Sequence, residues 1–186
     1  MGCWGITALE SDSGLDAMSF IRKQLPANGQ LDLGTLVEAL KADGWNAPAD
    51  SKDAESHTSP MALAEIMVHF LDGDVATLDS DYIVGKGGNR FSDIVSFTTS
   101  KETMEWLRDY LADTLAEHRK YAALANPVNT WGGWFQEKDW LDWQNHMETL
   151  VGRLTALLPS FTEPAIDLLS AQKQEQQQSV QLDLKM

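Results

Sequence analysis

The chain reads as mainly α-helical: a single compact domain of about five helices, with an irregular N-terminal lead-in and a minor strand pair within 82–97. Three observations carry that expectation. Between Gln136 and Leu158 the residues Trp140, Trp143, Met147, Leu150, Val151, Leu154, Leu157 and Leu158 recur at three-and-four spacing, which keeps one helical face apolar. Cap residues open several further apolar runs, and Pro, Gly or Asn-Gly close them. The length of 186 residues and the 43% hydrophobic fraction suit one globular domain.

Met1–Glu10 lacks helical period and is expected to be an extended lead-in with Trp4 buried. Ser11, Asp12 and Ser13 offer caps, with Asp16 three residues after Ser13. Leu15, Met18, Ile21 and Leu25 form the stripe of a first helix, stopped by Pro26 and Asn28-Gly29. Asp32 caps a second, with Leu33, Leu36, Val37 and Leu40 on one face and Gly44 beyond it. The short connection predicts an antiparallel hairpin of the two. Trp45 to Thr58 is loop by composition. Ser59-Pro60 then starts a third helix with Leu63, Ile66, Met67, Phe70 and Leu71 inside, closed by Asp72-Gly73-Asp74.

Tyr82–Val84 suits a short strand, and Phe91–Phe97 suits a short helix or a buried strand. Thr99 with Glu102 is a capping box for a fourth helix reaching about Leu124. Its Met104, Leu107, Leu111 and Leu115 make one stripe, and Trp106, Tyr110 and Tyr121 a second. Asn126-Pro127 breaks it, and Trp131-Gly-Gly-Trp134 turns into the fifth helix. The domain is expected to span 1–160. Pro164–Leu169 suits a short helix, and 161–186 reads as a mobile tail, with five glutamines in Gln172–Gln178.

Fourteen basic against 28 acidic residues give a net charge of −14. Residues 1–100 hold 15 acids and 6 bases, and residues 101–186 hold 13 and 8. That spread argues against direct nucleic-acid binding, which needs bases to neutralise phosphates. It suits a basic protein partner. Cys3 is the single cysteine, so neither an internal disulfide nor a Cys-based zinc site can form. The opening lacks a basic n-region, and Ile6 stands where myristoylation wants Ser or Thr. With no apolar run near the length of a membrane span, a cytoplasmic location without membrane contact is expected.

The chemistry-bearing candidates are few. Glu65 with His69, and Asp142 with His146, each share a helix face at four-residue spacing. Convergence of the two pairs would make a divalent-metal or small-ligand site. Neither the Glu-x-x-His bundle motif nor His-Glu-x-x-His is present. Asp72, Asp74, Asp79 and Asp81 form an acidic run without a neighbouring base, but Ala76, Thr77 and Ile83 break the EF-hand pattern, so a solvated turn is the better account. Gly85–Arg90 lacks the G-x-x-x-x-G-K-[ST] order of a phosphate loop, and no G-x-S-x-G elbow occurs. Trp140 and Trp143 belong to the leucine stripe, which leaves Trp131 and Trp134 as the tryptophans best placed for a binding surface or a dimer contact.

Met-Gly-Cys-Trp-Gly, followed by Glu10, Asp12 and Leu15-Asp16, resembles the start of a bacterial family, domain of unknown function 4259, whose members open Met-Gly-x-Trp-Gly. An acidic stretch there leads into a first helix often reading Ala-Leu-Asp-Phe. The chain departs at Gly14, where Ala or Asp is usual, and at Ala17-Met18. The likeness covers about the first 25 residues. It implies a small cytoplasmic bacterial protein and carries over no catalytic residue.

Two functions are therefore expected from different classes. One is a non-enzymatic acidic binding protein of immunity, inhibitor or DNA-mimic type, acting on a basic protein without a cofactor. The other is an enzyme dependent on a metal or small ligand held by Glu65, His69, Asp142 and His146.

Overall fold

The computed structural model describes residues 2–52, 58–79, 88–124, 133–171 and 173. Among them the order is α1 (Asp12–Lys23), β1 (Gln30–Asp32), α2 (Leu33–Ala42), α3 (Thr58–Asp72), β2 (Ser96–Ser100), α4 (Lys101–Ala122), α5 (Trp140–Leu157) and β3 (Ala165–Leu168). Single 3-10 turns stand at Ala8–Glu10, Val75–Leu78, Phe91–Asp93, Glu137–Asp139 and Leu158–Ser160. The fold is mainly α, with one hydrophobic core, as the sequence predicts.

The centre belongs to α3. Thr58 through Met67 are all buried, and a helix buried all round lies inside rather than on the surface. Its sequence allows this, because Met61 and Ala64 cover the side away from Leu63, Ile66 and Phe70, and Glu65 is the only charge before His69. α1, the Ala8–Glu10 turn, α4 and α5 all pack on it. Two bonds, His146 to Glu65 and Arg153 to Asp72, join α3 to α5 seven residues apart on each helix. Matched steps of about two turns require the helices to run parallel.

α4 and α5 form an antiparallel pair. At one end the Lys101 amide donates to the Pro164 carbonyl (3.2 Å). At the other, Arg119 pairs with Glu148 (2.9 Å) and the His118 ring meets Trp143 at 5.2 Å. Met104, Leu107, Leu111 and Leu115 are buried as the stripe predicts. Trp106 lies under the Lys41 ammonium (4.6 Å), and the Tyr110 hydroxyl donates to the Ala49 carbonyl (2.7 Å). The cap of α4 is Ser100, whose hydroxyl accepts from the Thr103 amide (3.1 Å). Thr99, expected to cap, is instead the buried fourth residue of β2.

The sheet corrects three expectations. β1 pairs parallel with β2, Leu31 opposite Phe97, and β2 pairs antiparallel with β3, Phe97 opposite Leu168. Phe91–Phe97, open between helix and strand, supplies both: a 3-10 turn and then the start of β2. Its partners come from 30–32 and 165–168; Tyr82–Val84 lies outside the described residues. Ala165–Leu168 is a strand rather than a helix, so the fold continues past residue 160. Residues 174–186 lie outside the described set. Finally, β1 intervenes between α1 and α2, so the expected hairpin does not form: α1 packs chiefly on α3, and α2 on β2.

Asp32 does cap α2, accepting from the Thr35 amide (2.6 Å). Ser11 caps α1 through the Gly14 amide (3.1 Å), which displaces the expected Ser13 box.

Candidate functional site

The four candidate ligands do not converge as two helix-borne pairs. Glu65, 3% exposed, faces α5, and its Oε1 is 2.7 Å from His146 Nε2. The same carboxylate accepts from the Ala8 amide (2.8 Å) and the Leu9 amide (3.1 Å). A buried charge is costly unless its oxygens are filled; here three donors fill them. Glu65 therefore ties the lead-in, α3 and α5 together. His69 turns the other way and pairs with Asp74 (2.9 Å). Asp142 is exposed on the first turn of α5. Among the described residues no three His, Cys, Asp or Glu side chains are grouped so as to hold a metal ion.

The acidic run is not a bare turn. Asp72 pairs with Arg153, whose guanidinium that bond holds above its ordinary pKa. Asp74 pairs with His69. Asp79 accepts from the Phe91 and Ser92 amides (both 2.8 Å) and lies 3.9 Å from the buried Arg22 guanidinium, which stacks on Phe91 at 4.4 Å. Burial pulls Arg22 below its ordinary pKa, and the Asp79 carboxylate opposes that pull. The compensating bases come from 57 or more residues away, apart from His69, so local sequence cannot show them. Asp79 is unavailable to a partner, Asp72 and Asp74 keep exposed oxygens, and Asp81 lies outside the described residues.

Trp131 also lies outside the described residues. Trp134, the described one of the two tryptophans that the sequence left as best placed for a binding surface, is interior and only 4% exposed. Gly133 explains why: at φ +98° its missing Cβ would lie 2.2 Å from the Trp143 ring, so only glycine lets the turn enter this deeply. Trp134 then stacks on Trp143 at 6.1 Å with an interplanar angle of 14°. Its Nε1 donates to the Gly5 carbonyl (2.7 Å), and Trp140 Nε1 donates back to the Trp134 carbonyl (2.9 Å).

This indole latches the lead-in. Gln136 Nε2 adds a bond to the Cys3 carbonyl (3.2 Å), and the Trp4 amide donates to the Glu10 carbonyl (3.0 Å). Glu10 accepts from the Ile6 and Thr7 amides (3.0 and 3.1 Å), and Cys3 bridges to Ser11. The reversal turns Trp4 outward: it is 59% exposed, against the expectation of burial. Phe135, 40% exposed, follows Trp134 on the turn that grips the lead-in. Burial pushes the Cys3 thiol above its ordinary pKa, helped by the Asp139 and Glu10 carboxylates; the Gly5 carbonyl and Trp134 bonds oppose this. The structure singles out this face, Trp4, Glu10, Phe135, Glu137 and Asp139, which sequence reasoning did not assemble. The shared Trp-Gly and Gly-Trp pairs at 4–5 and 133–134 are the only sequence signal for it.

Compared with protein-family models, curated proteins and solved structures, the chain finds no match. No helix among the described residues is long and apolar enough to cross a membrane.

Proposed function

We propose that this chain is a non-enzymatic acidic binding protein, of immunity, inhibitor or DNA-mimic type, whose partner is a basic protein. The observation that carries the reading is the surplus of unpaired surface carboxylate. Arg22, Lys41, Lys101, Arg108, Arg119, Lys120 and Arg153 are already committed to ion pairs within the fold. Glu102, Asp113, Glu137, Asp142 and Glu163 are exposed and make no ion pair among the described residues. Such a surface repels phosphate and steers a cationic protein toward itself. A small bacterial cytoplasmic protein, as the likeness of its first 25 residues implies, suits this role.

The test is capture with the tagged full chain from a nuclease-treated lysate of the source cells at 50 mM salt, followed by a salt gradient. The expected result is a dominant protein of isoelectric point above about 9, released as salt rises. An eluate with no basic protein, or a partner that stays bound at high salt, contradicts the reading.

A further inference from the structure

We propose that the basic partner docks on the face formed by the lead-in and the 133–142 turn, with Trp4 and Phe135 as aromatic anchors inside a rim of carboxylates. This rests on the acidic-binder reading and gives it a location. The Trp134-to-Gly5 and Gln136-to-Cys3 bonds hold the two segments side by side. Trp4 and Phe135 are the residues between those bonds on either strand, so they share one edge of the molecule. Both rings are exposed although the core beside them is well filled.

A single exposed aromatic is ordinary, but two on adjoining segments, with a charged border, is the pattern of an interface centre. The border is predominantly acidic. Residues 2–12 carry Glu10 and Asp12 and no base; residues 133–142 carry Glu137, Asp139 and Asp142 against Lys138. The partner this fits presents an apolar side chain ringed by Lys or Arg. The face is also rigid. The backbone bond from Trp4 to Glu10, the Cys3–Ser11 bridge and the side-chain latches fix it before binding, which lowers the ordering cost of association.

Trp45, 74% exposed, is the competing anchor. It is weaker on charge, because residues 38–52 balance Glu38, Asp43 and Asp50 with Lys41 and Lys52. Its indole is moreover already bonded to Asp16 (3.1 Å).

The test uses the 15N-labelled full chain and two synthetic probes of equal charge and length, an amphipathic Lys/Leu peptide and a Lys/Ser peptide. The seven indole N–H resonances report on the tryptophans separately. The Lys/Leu peptide is expected to shift the Trp4 indole and the Gly5, Phe135 and Glu137 amides first, and to leave the Trp45 indole in place. The double variant Trp4→Ala/Phe135→Ala, with side chains outside the core, is expected to bind it at least tenfold more weakly and the Lys/Ser peptide within twofold of wild type. Trp45→Ala is expected to bind both within twofold. Shifts centred elsewhere, or an unchanged affinity in the double variant, overturn this face and leave the acidic-binder reading standing. Failure of both peptides to bind at low salt overturns both.

Discussion

At the residue scale, Glu65 is the side chain on which most depends. Its carboxylate serves two backbone amides and an imidazole from inside the core. Glu65→Ala strands those donors and is expected to cost about 3–5 kcal/mol in urea unfolding, as removal of one partner from a buried network does. A loss under about 1 kcal/mol would show that the lead-in is not anchored there. Two glycines predict opposite signs. A Cβ at Gly14 would fall 1.7 Å from the Ala8 carbonyl oxygen, so Gly14→Ala must push the 3-10 turn off α1 and is expected to destabilise by about 1–3 kcal/mol. Gly152 has open space around it on the exposed side of α5, so Gly152→Ala should stabilise by about 0.5–1 kcal/mol. The Gly14 result also bears on the family likeness, because an Ala there requires a lead-in seated differently. Glu65 and His146 were both visible in the sequence as helix-borne candidates. That they bond each other, rather than their own i+4 neighbours, depends on the parallel packing of α3 and α5, which no local spacing encodes.

At the element scale, helices were legible and strands were not. Each helix carries its own signal in caps and three-four periodicity, and α2 lies where Asp32 and its leucines put it. The strands are three to five residues long, too short for alternation to show. Each is defined by partners 65 to 71 residues away in sequence. β3 is the plainest case: Ala-Ile-Asp-Leu beside a glutamine-rich stretch reads as tail until Leu168 is found buried opposite Phe97. Leu168→Ala is therefore expected to cost about 2–3 kcal/mol in chemical unfolding. An unchanged midpoint would mean that the chain beyond 160 contributes nothing to the fold. The Trp131–Trp134 turn illustrates the same limit. Sequence left Trp131 and Trp134 as the tryptophans best placed for a surface, whereas the left-handed backbone at Gly133 drives Trp134 inward and leaves Phe135 and the distant Trp4 outside.

At the scale of the whole molecule, charge is the dominant feature, and it is legible from composition alone. A net −14 on one small domain makes the folded state repel itself. Raising salt from 20 to 300 mM should accordingly raise the thermal midpoint, by a few degrees for screening worth about 1 kcal/mol. A midpoint that falls with salt would mean that the ion pairs of Arg22, Arg119 and Arg153 outweigh the repulsion. What composition could not supply is where the unspent charge gathers, because that depends on which carboxylates the fold has already neutralised. The most direct test of the central claim is titration calorimetry of the purified chain with the basic protein recovered by capture, at 50 and 300 mM salt. An acidic face meeting a basic partner predicts that affinity falls at least tenfold between the two conditions, while an affinity that does not change would contradict it.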